Sequence, residues 1–116
     1  MGKSLVRNTK QLTAIPPWIS SAGMSVLSDD EVQEAVGQLD GWTVEGDSIV
    51  RELRFDDFGQ TVAFVVRIAF EAEAANHHPD LDIRYNKLRV ALSTHSEGGI
   101  TQKDVDLART IDQAAG

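Results

Sequence analysis

The segment DFGQTVAFVVRIAFEAEAANHHP, residues 57–79, constrains the fold of this chain more than any other. Asp57 is an acceptor suited to capping a helix, with Gln60 at the third position after it. Pro79 disfavours helical dihedrals at the residue before it, so the helix ends near Asn76. Between these signals Phe58, Val62, Val65, Ala69 and Ala72 form an apolar stripe, and Phe64 and Ile68 widen it. The pattern predicts a helix buried over much of its circumference, which other elements must cover. Arg67 interrupts the apolar run TVAFVVRIAF, which is far shorter than the roughly 20 apolar residues of a bilayer span. A membrane segment is not expected.

Two hairpins can supply the cover. Trp42 to Glu45 and Ile49 to Phe55 are β-prone runs around Gly46-Asp47, with Ile49, Leu53 and Phe55 on one face and Val50, Glu52 and Arg54 on the other. Ile83 and Tyr85, then Leu88, Val90 and Leu92, alternate on either side of an Asn86-Lys87 turn. Helices are predicted at both ends. Ser28 and Glu31 have capping-box spacing ahead of Val32, Ala35, Val36 and Leu39, giving a helix over about 29–39 before the Gly41 stop. Thr101 and Asp104 form a similar box, with Asp in place of Glu, ahead of Val105, Ala108, Ile111 and Ala115. The element order α-β-β-α-β-β-α predicts an α+β fold: a four-stranded antiparallel sheet with helices packed on one face. At 116 residues the chain fits one domain.

Charge and cysteine content narrow the chemistry. The chain carries 18 acidic and 11 basic residues, a formal charge of −7, which repels a phosphate backbone and argues against nucleic acid as a direct ligand. The absence of cysteine excludes disulfides, thiolate metal sites and cysteine nucleophiles. Residues 1–23 hold Lys3, Arg7 and Lys10 and no acid, whereas carboxylates are dense from Asp29 onward. The segment lacks the apolar core of a secretory signal, and Pro16-Pro17 opposes a long amphipathic transit helix. It is read as an appended or upstream-start extension, poorly ordered or docked on a partner through Ile15, Trp18 and Ile19, ahead of a single domain over residues 24–116.

All three histidines fall within NHHPDLDIRYNKLRVALSTH, residues 76–95. His77 and His78 stand at a helix exit, where on their own they read as caps. His95 lies just past the strand Leu88 to Ser93, and a hairpin between them brings residues near 80 beside residues near 93. One imidazole cluster is therefore expected. Three histidines and a water can make a catalytic zinc site, but adjacent ligands point apart and no H-E-x-x-H spacing is present. Imidazole titrates at about 6.5 when unperturbed and suits metal-free acid–base work, such as an elimination in which one group protonates a leaving hydroxyl and another removes a proton. Glu73, four residues before His77, is either a solvated carboxylate or an acceptor fixing an imidazole tautomer. Asp104 reads as part of its helix cap, Trp42 and Tyr85 as core or interface aromatics, and Arg84, Lys87 and Arg89 as a solvated strand face.

Together Glu73, His77-His78-Pro79, Tyr85, His95 and Asp104 make a pattern that resembles the pterin-4α-carbinolamine dehydratases. The resemblance runs from LDGW at 39–42 through FDDFGQTVAFVVRIAFEAE, RYNKLRVALSTH and GGITQKDVDLARTID to Ala115. It implies dehydration of 4a-hydroxytetrahydropterin to quinonoid dihydropterin and water, a step that recycles the cofactor of aromatic amino acid hydroxylases. It further implies a cytoplasmic homodimer or homotetramer that needs no metal or organic cofactor. Carried over by position, the catalytic set is His77, His78 and His95, with His77 and His95 as general acid and base and His78 chiefly holding the pterin. Glu73 and Asp104 are supporting residues, and backbone around Pro79 and around Ser93-Thr94 binds the heterocycle. Asn76, Leu81 and Lys103 stand where animal members have Asp, Trp and Arg. Animal members also serve as dimerisation cofactors for a homeodomain transcription factor, so the resemblance carries a second possibility, an interaction module with little or no catalysis.

Overall fold

The computed structural model describes residues 25–116, so the expected extension over 1–23 lies outside the described residues. The chain runs through α1 (Asp29–Gly37), β1 (Thr43–Glu45), β2 (Ser48–Arg54), α2 (Phe58–Ala75), β3 (Asp80–Arg84), β4 (Lys87–Leu92), a 3-10 turn (His95–Glu97) and α3 (Gln102–Ala115). The strands form one four-stranded antiparallel sheet, as the alternation of elements predicted, and their order in it is β1-β2-β4-β3. No helix among the described residues is long and apolar enough to cross a membrane.

Local chemistry explains the element ends. Ser28 accepts from the Glu31 amide while Glu31 accepts from the Ser28 amide, the reciprocal box read in the sequence. Helix α1 stops at Gly37, two residues short of expectation, and a turn bonded from Gln38 to Ala35 and from Leu39 to Val36 continues the chain. Gly41, at φ +86°, then reverses it into Trp42. The second hairpin turns at Tyr85-Asn86, one residue earlier than expected, because Lys87 already pairs with both Arg84 and Arg54. Tyr85 is driven to φ 54°, and Asn86 pins the turn through its side-chain amide on the Phe55 carbonyl (3.0 Å) and its own carbonyl on the Phe55 amide (2.9 Å). Tyr85 is exposed there, which removes it from the core.

The register places Ile49 opposite Leu92, Arg51 opposite Val90 and Leu53 opposite Leu88, with Leu81 and Ile83 adding to the same face from the edge strand. This face packs on the helices. The opposite face carries the charged row Glu52, Arg89 and Asp82 and meets water. Helix α2 departs from expectation: it buries the narrower stripe Thr61, Phe64, Ile68 and Ala72, while Phe58, Val66 and Phe70 are exposed. Sheet and neighbouring helix α3 reach only one side of it, so the expected burial around much of its circumference does not occur within this chain's described residues. Helix α3 buries Val105, Leu107, Ala108 and Ile111, and Ala114 rather than the exposed Ala115 packs at its end.

Arg51 points inward from β2 and meets Asp112 on α3 at 2.5 Å. Asp112 also accepts from the Trp42 indole (2.8 Å) and the Asp40 amide (3.1 Å), so one carboxylate ties the end of α3 to the α1–β1 turn and the sheet. Asp112→Ala is expected to cost about 3 kcal/mol, because it strands two partly buried donors, the Trp42 indole and the charged Arg51 guanidinium. Urea unfolding would register this as a lower midpoint at unchanged slope.

Candidate active site

Two helix-terminal motifs build the centre of the site. At the end of α2, Asn76 takes the left-handed region at φ 51°, its amide bonds to the Glu73 carbonyl (3.1 Å), and the His77 amide bonds to the Ala72 carbonyl (3.0 Å). This is a Schellman ending, and it makes His77 the residue that folds back against the last turn. Asn is among the few non-glycine residues that accept the left-handed region, so Asn76 has a structural task here. His77 is consequently buried, at 9% exposure.

At the start of α3, the Asp104 carboxylate accepts from the Thr101 amide at 2.9 Å and completes the capping box. Its Oδ1 lies 2.5 Å from His77 Nε2, and its Oδ2 also accepts from the Thr94 hydroxyl at 2.8 Å. Asp104 is fully buried at 0% exposure, yet both of its oxygens are met by donors. The sequence reading of Asp104 as a cap is thus half of its role, since the same carboxylate holds an imidazole.

Glu73, read as either a solvated carboxylate or an acceptor for an imidazole, is exposed and meets His78 rather than His77, with Oε2 2.7 Å from His78 Nε2. The left-handed turn at Asn76 breaks the helical i,i+4 relation, carrying His77 inward and bringing His78 beside Glu73. Both members of that pair are exposed. His95 is exposed in the 3-10 turn, its Nε2 3.9 Å from Asp80 Oδ2. One buried hydrogen-bonded link and one loose, exposed approach join the histidine segments. Asp104 joins His77 to Thr94, the residue before His95, and Asp80 lies two residues after His78. The Thr94 amide, expected to be open, instead donates to the Gly99 carbonyl at 2.9 Å, and its side chain is buried. Ser93 is the member of that pair whose backbone has no hydrogen-bond partner among the described residues.

A cavity of about 380 Å³ lies beside His77 between the end of α2 and the start of α3, lined by Glu71, Ala74, Lys103, Asp106 and Thr110 among others. His78 and His95 do not line it. Among the described residues, no three of His, Asp and Glu converge as a metal ion would require. The carboxylates pair the imidazoles separately, which leaves the arrangement suited to moving protons.

The Pterin 4 alpha carbinolamine dehydratase family profile matches residues 25–114. The chain belongs to this family. Among pterin-4-alpha-carbinolamine dehydratases by name, one from Roseiflexus sp. is 52% identical over 87 residues, covering 75% of this chain and 94% of the relative. One from Mycobacteroides abscessus is 52% identical over 93 residues, covering 80% and 99%. A solved structure described as a transcriptional coactivator/pterin dehydratase from Brucella melitensis superposes with a TM-score of 0.76 at 39% identity, covering 79% of this chain and all of that one.

Within this dehydratase-family chain, the sequence reading missed the link from Asp104 to His77. A usable signal was present: a capping box closed by Asp rather than the longer Glu leaves its second oxygen close to the helix end, where a neighbouring element can take it. The geometry also ranks the two supporting acids. Asp104→Ala is expected to cost about 3 kcal/mol through the orphaned Thr101 amide and Thr94 hydroxyl. Glu73→Ala, which removes an exposed pair, should stay within about 0.5 kcal/mol. Parallel denaturant titrations of the two variants check the ranking.

Proposed function

We propose that this chain dehydrates 4a-hydroxytetrahydropterin to quinonoid dihydropterin and water in the cytoplasm, recycling a tetrahydropterin without a metal or organic cofactor. The observation that carries the reading is the buried His77 held on Asp104, with two exposed imidazoles on the flanking residues of the same linked segments. In a carbinolamine the hydroxyl and an amine nitrogen share one carbon. Elimination breaks the C–O bond as one imidazolium protonates the departing oxygen. The other imidazole takes the N–H proton, and that bond's electron pair forms the C=N bond. His77 and His95 are assigned these two roles, and His78, with Glu73 beside it, holds the pterin. The backbone at Pro79 and Ser93 supplies hydrogen bonds to the heterocycle, while Thr94 contributes from behind Asp104.

General acid–base groups contribute about 10²- to 10⁴-fold, so His77→Ala and His95→Ala should each lower kcat within that range with a smaller effect on pterin binding. Stopped-flow dehydration of 4a-hydroxytetrahydropterin measures this. A wild-type protein that leaves the spontaneous rate unchanged would sink the enzyme reading in favour of an interaction module.

Assembly is the second element of the proposal. Phe58, Val66 and Phe70, spaced eight and four residues apart, are exposed on the side of α2 away from its buried stripe, with Phe70 72% exposed, and an apolar helix face of this kind is suited to burial in a homo-oligomer. Sedimentation analysis should find a dimer or tetramer, and Phe70→Glu should shift it toward monomer by placing a charge in the interface.

A further inference from the structure

We infer that Thr94 and Thr101 are positioning residues that lock His77 into one tautomer, leaving Nδ1 as its reacting nitrogen; the catalytic part of this inference rests on the proposed dehydration. Their hydrogen bonds can be directed unambiguously. Asp104 Oδ2 lies 2.8 Å from Thr94 Oγ, and an ionised carboxylate only accepts, so the single hydroxyl proton of Thr94 goes to it. Thr94 Oγ is also 2.8 Å from Thr101 Oγ and must accept there, so the Thr101 hydroxyl donates to Thr94. Thr101 Oγ in turn accepts from the Lys103 amide at 3.3 Å. The chain of donors runs one way, from the α3 backbone through two hydroxyls to Oδ2, which the Thr101 amide also meets at 2.9 Å.

With Oδ2 held by two donors, the carboxylate cannot rotate without breaking both. Oδ1 is left aimed at His77 Nε2, 2.5 Å away, and only an N–H on that nitrogen satisfies it. The neutral ring therefore carries its proton on Nε2 and its lone pair on Nδ1, which has no hydrogen bond among the described residues. Thr94, Thr101 and Asp104 are all buried, at 4%, 0% and 0% exposure, so water does not compete for these bonds. Thr94 sits directly before His95, and the same hydroxyl thus also anchors the turn that carries the second imidazole.

Nitrogen NMR of the full chain with labelled histidine tests the inference without substrate. Neutral His77 should show a protonated Nε2 and a bare Nδ1; the opposite tautomer, or an even mixture, in the wild type would overturn the inference whatever the variants do. Thr94→Val, which removes the hydroxyl at nearly constant shape, should release the mixture of tautomers and lower kcat about 10-fold with KM within about twofold. Thr94→Ser should restore both readouts. A folded Thr94→Val protein with wild-type tautomer and kcat, or a Thr94→Ser protein as impaired as Thr94→Val, also overturns the assignment. If the wild type does not catalyse dehydration but its tautomer is fixed and Thr94→Val frees it, the positioning role stands and the proposed reaction falls.

Discussion

The buried carboxylate of Asp104 is the constraint on which the site depends. It closes the N-terminus of α3, receives the Thr94 hydroxyl from the end of β4, and holds His77 from the end of α2. Three elements that are distant in sequence are thereby fixed at one point. A charge taken fully out of water is tolerable only when each oxygen is met by donors, and here the positive end of the α3 dipole adds to the hydrogen bonds. Packing of α3 on α2 brings the two helix ends together, and the acid links them.

Helix endings do much of the functional work in this fold. The Schellman turn at Asn76 pulls His77 into the interior and leaves His78 outside, so two adjacent and chemically identical side chains receive different environments. One imidazole is dry and fixed on a buried acid; the other is solvated and paired with the exposed Glu73. A left-handed residue at position 76 is the geometric cause.

Asp112 plays the mechanical counterpart at the far end of α3, binding Arg51, the Trp42 indole and the Asp40 amide. With Asp104 near one end and Asp112 near the other, carboxylates tie α3 to the end of α2 and the turn beyond β4 at its start and to the sheet through Arg51 at its far end, while Val105, Ala108 and Ile111 are buried along its middle. The outer side of α2 has no such cover among the described residues. Its phenylalanines are an apolar surface that the described residues leave open.

The element order, the one-sided sheet and the capping boxes were legible in the sequence because each depends on local periodicity and on side chains that bond within three or four residues. The Asn86-Lys87 turn was misplaced by one residue because turn position depends on register with β2, which local pattern does not encode. The width of the α2 stripe was overread for a related reason: periodicity reports which residues are apolar and not how many sides a neighbour covers. The sequence by itself determined that three imidazoles and two acids lie near helix and strand ends. Which acid serves which imidazole was decided only by tertiary structure. Glu73 was nearer to His77 in sequence, but the left-handed turn at Asn76 broke the helical face they would have shared, and the packing of α3 on α2 delivered Asp104 instead.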